Sequence, residues 1–202
     1  MDARSWEEAG RMSGWAAYDA KKRELVGGLS GTVLELGAGK GANFGMLGKG
    51  VDWIGLEPHA ASRRTLGTTA AAWAARTGGS YRVLDTEAEQ IPLPSASVDA
   101  VLSTVVLCSV HDLGGVLTEV RRVLRPGGRF VFFEHVGAAR GSWVRRLQGL
   151  IRPITRTFDK GCDPTRQTDD AIHATGFTTV TLDRYTLPGL VPIPYIAGTA
   201  HL

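Results

Sequence analysis

Hydrophobic and polar positions along the chain fall into two alternating patterns. Thr32–Leu36 (TVLEL), Val51–Leu56 (VDWIGL), Tyr81–Leu84 (YRVL) and Val98–Val105 are short apolar runs bounded by glycines or polar clusters, the form of buried strands. Between them, Ala42–Leu47 and the alanine-rich Ala60–Arg76 have helical composition. Gly115–Leu124 adds helical periodicity, because Leu113, Val116, Leu117, Val120 and Leu124 recur at three- and four-residue spacing. Arg121, Arg122 and Arg125 gather at the C-terminal end of that segment, where cations meet the negative end of a helix dipole. Pro126-Gly127-Gly128 stops it, and Arg129–Glu134 follows as another strand.

Ahead of the first strand, Trp6–Leu29 places Trp6, Ala9, Met12, Trp15 and Ala16 at helical spacing and predicts one or two helices. Beyond the glycine-containing stretch Gly137–Ser142, the pattern predicts a basic helix over Trp143–Thr157 and a last helix over Pro164–Thr175, stopped by Gly176. Phe177–Tyr185 reads as a strand, and Tyr195–Ala200 as one that pairs with it. The prolines of 186–194 make their connection a loop over the sheet. Strands alternating with helices predict an α/β fold, a seven-stranded, mostly parallel sheet with helices on both faces and an antiparallel C-terminal strand.

Composition narrows the class. The 202 residues suit one domain over 1–202, and 43% hydrophobic with 21% charged residues excludes a disordered chain or a membrane bundle. The longest nearly apolar stretch, Val98–Val110, is interrupted by Asp99, Ser103, Thr104 and Ser109 and falls short of the roughly 20 apolar residues of a membrane span. The polar, acid-containing start lacks the pattern of a secretory signal, so a cytoplasmic location is expected. Cys108 and Cys162 make no disulfide framework and have no zinc-motif spacing, so no metal is expected. The net charge of +3 has its local source in Arg140, Arg145, Arg146, Arg152, Arg156, Lys160 and Arg166. That run is either a solvated helix face or a patch for an anionic substrate or a membrane surface. No aromatic-basic stripe argues for nucleic acid.

Gly37-Ala38-Gly39-Lys40-Gly41-Ala42-Asn43 leaves a strand and opens a helix, whose N-terminus is expected to offer unpaired N–H groups to an anionic group. Glycines permit positive φ and close approach of the backbone to a ligand. Glu57, about 20 residues on, stands where a carboxylate accepts both hydroxyls of a ribose. Loop and acid together imply an adenosine-containing ligand. Gly37, Gly39 and Ala42 also satisfy the dinucleotide fingerprint. Against a dehydrogenase, Tyr18 and Lys22 precede the loop, and the chain has no room for a substrate domain.

VLELGAGKGANF, GLEPH, EAEQIPLPSASVDAV and LTEVRRVLRPGGRFVFFEH resemble the successive motifs of the class I S-adenosylmethionine-dependent methyltransferases. The resemblance implies a Rossmann-like fold and S-adenosyl-L-methionine as methyl donor, with S-adenosyl-L-homocysteine as product. It also implies that Gly37, Gly39 and Gly41 hold the methionyl end, Glu57 the ribose, and Glu87 and Ala88 the adenine, with Glu89 the register alternative. Glu35, Ala38, Asn43, Pro58 and His59 in the same motifs, and Ser103 and Thr104 after the fourth strand, complete the expected cofactor side. KKRELVGGL, GANF, LSTVVLCSV, EHV and FDKGCDPTR are similar to the methyltransferase-like thiol S-methyltransferases and to related bacterial small-molecule and phospholipid methyltransferases. The animal members begin with a membrane-associating apolar segment, from which this sequence departs, so no integral membrane contact is expected.

In an open parallel sheet the ligand lies at the carboxyl ends of the strands, which nominates Ser103, Thr104 and Val105, and Glu134, His135 and Val136. His135 is read as a catalytic base or cationic stabiliser of a thiolate, or as a strand-end histidine satisfied by the backbone. Cys108 is either core or acceptor-side. Tyr18 is either part of an N-terminal helical lid over 1–30 or a packing residue. Trp143 and Trp15 line an apolar acceptor site or anchor the core. In the relatives the segment holding Cys162 and Asp163 helps to wall the acceptor pocket, which makes 137–175 the acceptor side, although Cys162 also reads as structural. Asp159 and Arg166 either pair with each other or touch substrate. The expected reaction is methylation of a small molecule, with a thiol favoured. The alternatives are N-, O- or C-methylation of a lipid, quinone or other metabolite, and a non-catalytic cofactor-binding partner protein.

Overall fold

In the computed structural model, which describes residues 12–158, 161–189 and 191–202, one eight-stranded sheet organises the chain. Its elements are β1 (Met12–Ser13), α1 (Trp15–Gly27), β2 (Thr32–Leu36), β3 (Asp52–Leu56), α2 (Ala60–Thr77), β4 (Ser80–Leu84) and β5 (Val98–Thr104). There follow α3 (Leu113–Val123), β6 (Leu124–His135), α4 (Trp143–Phe158), α5 (Thr168–Ala174), β7 (Thr179–Leu187) and β8 (Ile193–His201). The strand order is β1-β7-β8-β6-β5-β2-β3-β4. β8 runs antiparallel to both β6 and β7, and every other neighbouring pair is parallel. The expected seven-stranded sheet is thus extended by a two-residue edge strand, Met12–Ser13 on Tyr185–Thr186.

Alternation along the strands divides two apolar layers. Leu34, Ile54, Val101, Phe130 and Phe132 face α3 and α5, where Val116, Leu117, Val120 and Ile172 close the layer. Val33, Trp53, Leu102, Val131 and Phe133 face the other way, toward Val26 of α1 and Leu66, Ala70 and Trp73 of α2. Asp112 caps α3, its carboxylate accepting from the Gly115 N–H at 3.0 Å.

Ala42–Leu47, expected as a helix, is a series of turns. The Asn43 carbonyl accepts from both Met46 (2.9 Å) and Leu47 (3.2 Å), and a segment this short between Gly41 and Gly48 cannot repay helix nucleation. α3 ends at Val123 with Leu124 already extended, so Pro126-Gly127-Gly128, expected to stop the helix, lies inside β6 as an irregularity, with Val98 opposite Leu124 and Ala100 opposite Arg129. The strand expected over Phe177–Tyr185 is shifted to Thr179–Leu187 at the same length, the last strand is longer than expected, and their connection is confined to the residues between Leu187 and Ile193. The last helix begins at Thr168, because the chain from Asp163 to Arg166 is a turn closed by Arg166 N–H to Asp163 O at 3.2 Å. The part of the first expected helix before residue 12, and Asp159 and Lys160, lie outside the described residues. No helix among the described residues is long and apolar enough to cross a membrane.

Candidate active site

The glycine loop is held on three sides. Gly37 and Gly39 have φ of 53° and 60°, a region that favours glycine, and a Cβ on Gly37 would lie 2.8 Å from Val106 Cγ2. The Ala38 N–H donates to Leu56 O at 2.9 Å, and the Gly39 N–H donates to Glu57 Oε2 at 2.8 Å. Glu57 Oε1 accepts from the His59 N–H at 2.9 Å, so the carboxylate at the end of β3 is clamped between the loop and the start of α2.

These residues border a cavity of 460 Å³, lined by Gly37, Gly39, Glu57, Pro58 and His59 on one side and by Glu87, Ala88, Glu89 and His111 on another. Its wall toward the rest of the molecule is Val105 and Val106. A Cβ built on Gly39 meets nothing closer than Gly37 O at 4.0 Å, so the cradle has space for a ligand. Glu57 Oε2 keeps an acceptor site beyond its backbone partner, while Oε1 also stands 3.0 Å from His59 Nδ1, which borders the same cavity. The Glu89 carboxylate accepts from the His111 N–H at 2.7 Å and tethers the far rim.

Glu35, Ala38, Gly41, Asn43, Ser103 and Thr104, expected on the cofactor side, do not line the cavity. Glu35 is buried and accepts from Asn43 Nδ2 at 2.8 Å and Trp53 Nε1 at 2.9 Å. Asn43 Nδ2 also donates to Thr104 Oγ1 at 3.2 Å. Burial pushes the Glu35 carboxyl up to about 7. Gly41, at φ 86°, leaves room for the ring of Phe44. This layer fixes the loop from below.

A second cavity, of 630 Å³, opens beside the first. Val105 and Ser109 line both, so the two share one wall. Val105 has φ 54°, unusual for a branched residue, and the loop carrying it is held by Glu134. The buried Glu134 carboxylate accepts from Ser103 Oγ at 2.6 Å and from the Val106 and Leu107 N–H groups at 3.0 and 3.1 Å. Cys108, His135 and Cys162 lie along this cavity together with Leu147, Ile151 and Tyr195. His135 Nε2 is 3.1 Å from Cys162 Sγ. A hydrogen bond with Cys162, then burial, drives the Cys108 thiol well above its ordinary range.

Of the expected acceptor-side residues, the structure brings Val105, Cys108 and His135 together and leaves two elsewhere. Tyr18 lines neither cavity; its ring packs edge-on against Phe133, Tyr185 and Tyr195, and α1 covers that flank of the sheet and not the site. Trp143 is 62% exposed at the start of α4, and Trp15 is also exposed. Arg166 donates to Leu107 O and Val110 O, both at 2.7 Å, a structural role for one member of the expected Asp159–Arg166 pair. The convergence of Cys162 with Cys108 and His135 escaped sequence reasoning, as did Arg156 of α4 on the rim of the first cavity. Only the resemblance of the GCDPTR segment pointed toward the former.

Residues 34–132 match the model of a methyltransferase domain family. Human thiol S-methyltransferase TMT1B is 35% identical over 192 residues, covering 90% of this chain and 78% of its own length. The chain belongs to the S-adenosylmethionine-dependent methyltransferases. Human TMT1A, also a thiol S-methyltransferase, is 34% identical to this methyltransferase over 178 residues, with 84% and 72% coverage. An S-adenosylmethionine-dependent methyltransferase of Thermotoga maritima shares the fold, with a TM-score of 0.63 at 21% identity over 97% of this chain and 93% of that one. S-adenosylmethionine is therefore the methyl donor of this methyltransferase.

Proposed function

We propose that this methyltransferase transfers a methyl group to the thiol of a small, largely apolar molecule. The observation that carries the reading is the pair of adjoining cavities. One has a carboxylate clamped opposite a glycine cradle. The other is apolar, with sulfur and imidazole groups, and shares Val105 and Ser109 with the first. The names of the human relatives support sulfur as the acceptor atom.

In this reading Gly37, Ala38 and Gly39 give the methionyl end close backbone contact, Glu57 takes the ribose hydroxyls, and Pro58, His59, Glu87, Ala88 and Glu89 enclose the adenosine. The bound sulfonium supplies an activated methyl group. The chain's part is to align an acceptor sulfur with it and to exclude water, and positioning and desolvation provide most of the rate. Leu147 and Ile151 of α4 close the acceptor side and His135 orients the sulfur. The two cavities draw on one sheet, so 1–202 acts as one catalytic unit with 137–175 as its acceptor side.

Methyl transfer from labelled S-adenosylmethionine to a panel of alkyl thiols, amines, phenols and phospholipids, identified by product mass, tests the proposal. Products confined to thiols support it; products from phenols, amines or lipids alone overturn it. A second reading, an apolar lipid or quinone acceptor, is favoured by α4, whose Leu150, Ile154 and Phe158 are exposed beside an acceptor cavity.

A further inference from the structure

Cys108 lies on the loop after β5, His135 ends β6, and Cys162 sits in the turn between α4 and α5. One ligand-capable atom from each lies within 4.8 Å of the other two. All three side chains are buried, and all three border the acceptor cavity. Around a tetrahedral zinc ion, with bonds of about 2.3 Å to sulfur and 2.0 Å to nitrogen, ligand atoms stand about 3.5–3.8 Å apart. The three atoms stand on that scale, with His135 Nε2 and Cys162 Sγ 3.1 Å apart and no pair beyond 4.8 Å. Two thiolates and a neutral imidazole balance a divalent charge, which suits apolar surroundings, and a donor set of sulfur and nitrogen without carboxylate favours a thiophilic ion over magnesium or calcium. Three protein ligands with a fourth position open to a substrate cavity is the arrangement of a catalytic zinc site, not of a closed structural one.

We propose that Cys108, His135 and Cys162 bind a zinc-type divalent cation whose fourth position takes the acceptor thiol as thiolate. The inference rests on the thiol reading above and deepens it. Binding of the ion displaces the two cysteine protons to solvent. The acceptor then exchanges its S–H bond for a metal–sulfur bond, and its proton leaves through the cavity mouth. A lone pair of that sulfur forms the new S–CH3 bond as the methyl–sulfonium bond breaks. The products are S-adenosylhomocysteine and a neutral thioether, which is a weaker ligand and departs. The ion changes neither charge nor oxidation state. In this role His135 is a ligand, and selection of sulfur over oxygen and nitrogen follows from the softness of the site.

The test begins with metal analysis and a count of free thiols on the purified chain. It continues with cobalt(II) titration of chelator-treated protein and with thiol methylation by each form. The proposal expects about one bound zinc per chain, a visible spectrum of tetrahedral thiolate-bound cobalt, and a shift of that spectrum when an alkyl thiol is added. C108S and C162S should lose the spectrum while still binding S-adenosylmethionine, which shows them folded. A chain that retains no metal and gives no cobalt spectrum overturns the site, as does one in which Cys108 and Cys162 form a disulfide in the active enzyme. A metal-free chain that methylates thiols at an undiminished rate overturns the site and leaves the thiol reading standing. A metal-loaded chain that methylates only amines or phenols overturns the thiol reading. A cobalt spectrum unmoved by thiol overturns the role of the fourth position.

Discussion

Glu57 shows how one side chain joins fold to ligand. Its two oxygens bind the Gly39 and His59 N–H groups, so loop, strand end and helix start are set by one carboxylate. Glu57→Ala should weaken S-adenosylmethionine binding by about 1–3 kcal/mol through lost charge-assisted hydrogen bonds. Calorimetry measures this, and unchanged affinity would contradict the ribose assignment. His135→Ala should lower kcat severalfold or more while leaving the dissociation constant for S-adenosylmethionine nearly intact, a split that a merely structural histidine would not give. Glu35 carries a pH prediction. Its carboxyl is pushed by burial up to about 7 from an ordinary 4.5, with Lys22 the charged group facing it. Between those values the folded state holds a proton that the unfolded state has lost, so stability falls as pH rises through the window and the deficit remains above it. Urea unfolding from pH 4.5 to 7.5 should show a shallower decline for Glu35→Gln than for the native chain, and equal slopes would contradict a raised Glu35. Gly37, Gly39 and Glu57 were legible from sequence because their spacing around β2 and β3 places them at neighbouring strand ends, whereas Ala88, beyond β4, was nominated only by the family resemblance. Glu35, Asn43 and Thr104 belong to the same strand-end neighbourhood, but their side chains bond to one another behind the loop, which spacing alone does not reveal.

At the scale of elements, β2, β3, β5 and α2 were legible because short, mainly apolar runs bounded by turn residues and a long alanine-rich segment leave one reading. Ala42–Leu47 was not, since composition speaks for a helix while length and flanking glycines decide against it. α3 joins periodicity to a capping side chain, and Asp112→Ala should cost about 1 kcal/mol of stability, read as a lower unfolding midpoint. α4 matches its expected span, and the structure adds which side is open. Trp143, Leu150, Ile154 and Phe158 are exposed while Gln148 is buried, and its five arginine neighbours in sequence, Arg140 to Arg156, come with no acidic residue among them. The lipid-acceptor reading therefore predicts salt-sensitive binding to vesicles containing phosphatidylserine, weakened by Leu150→Ser with Phe158→Ser. Absence of such binding in low salt would count against that reading.

Across the whole molecule, both cavities lie at the carboxyl ends of the parallel strands, as the geometry of an open α/β sheet requires. The cofactor side was readable because β2, the glycine loop and Glu57 are near neighbours in the chain. The acceptor side was not, because Cys108, His135 and Cys162 come from three distant segments that only the β5–β6 pairing and the turn after α4 bring together. The account stands or falls on the acceptor atom. The most direct measurement is kcat/KM for an alkyl thiol against the alcohol and the amine of the same carbon skeleton, with S-adenosylmethionine saturating. The account predicts a preference for the thiol of a hundredfold or more, about 3 kcal/mol of transition-state stabilisation. A ratio near one, or a preference for the alcohol or the amine, would contradict it.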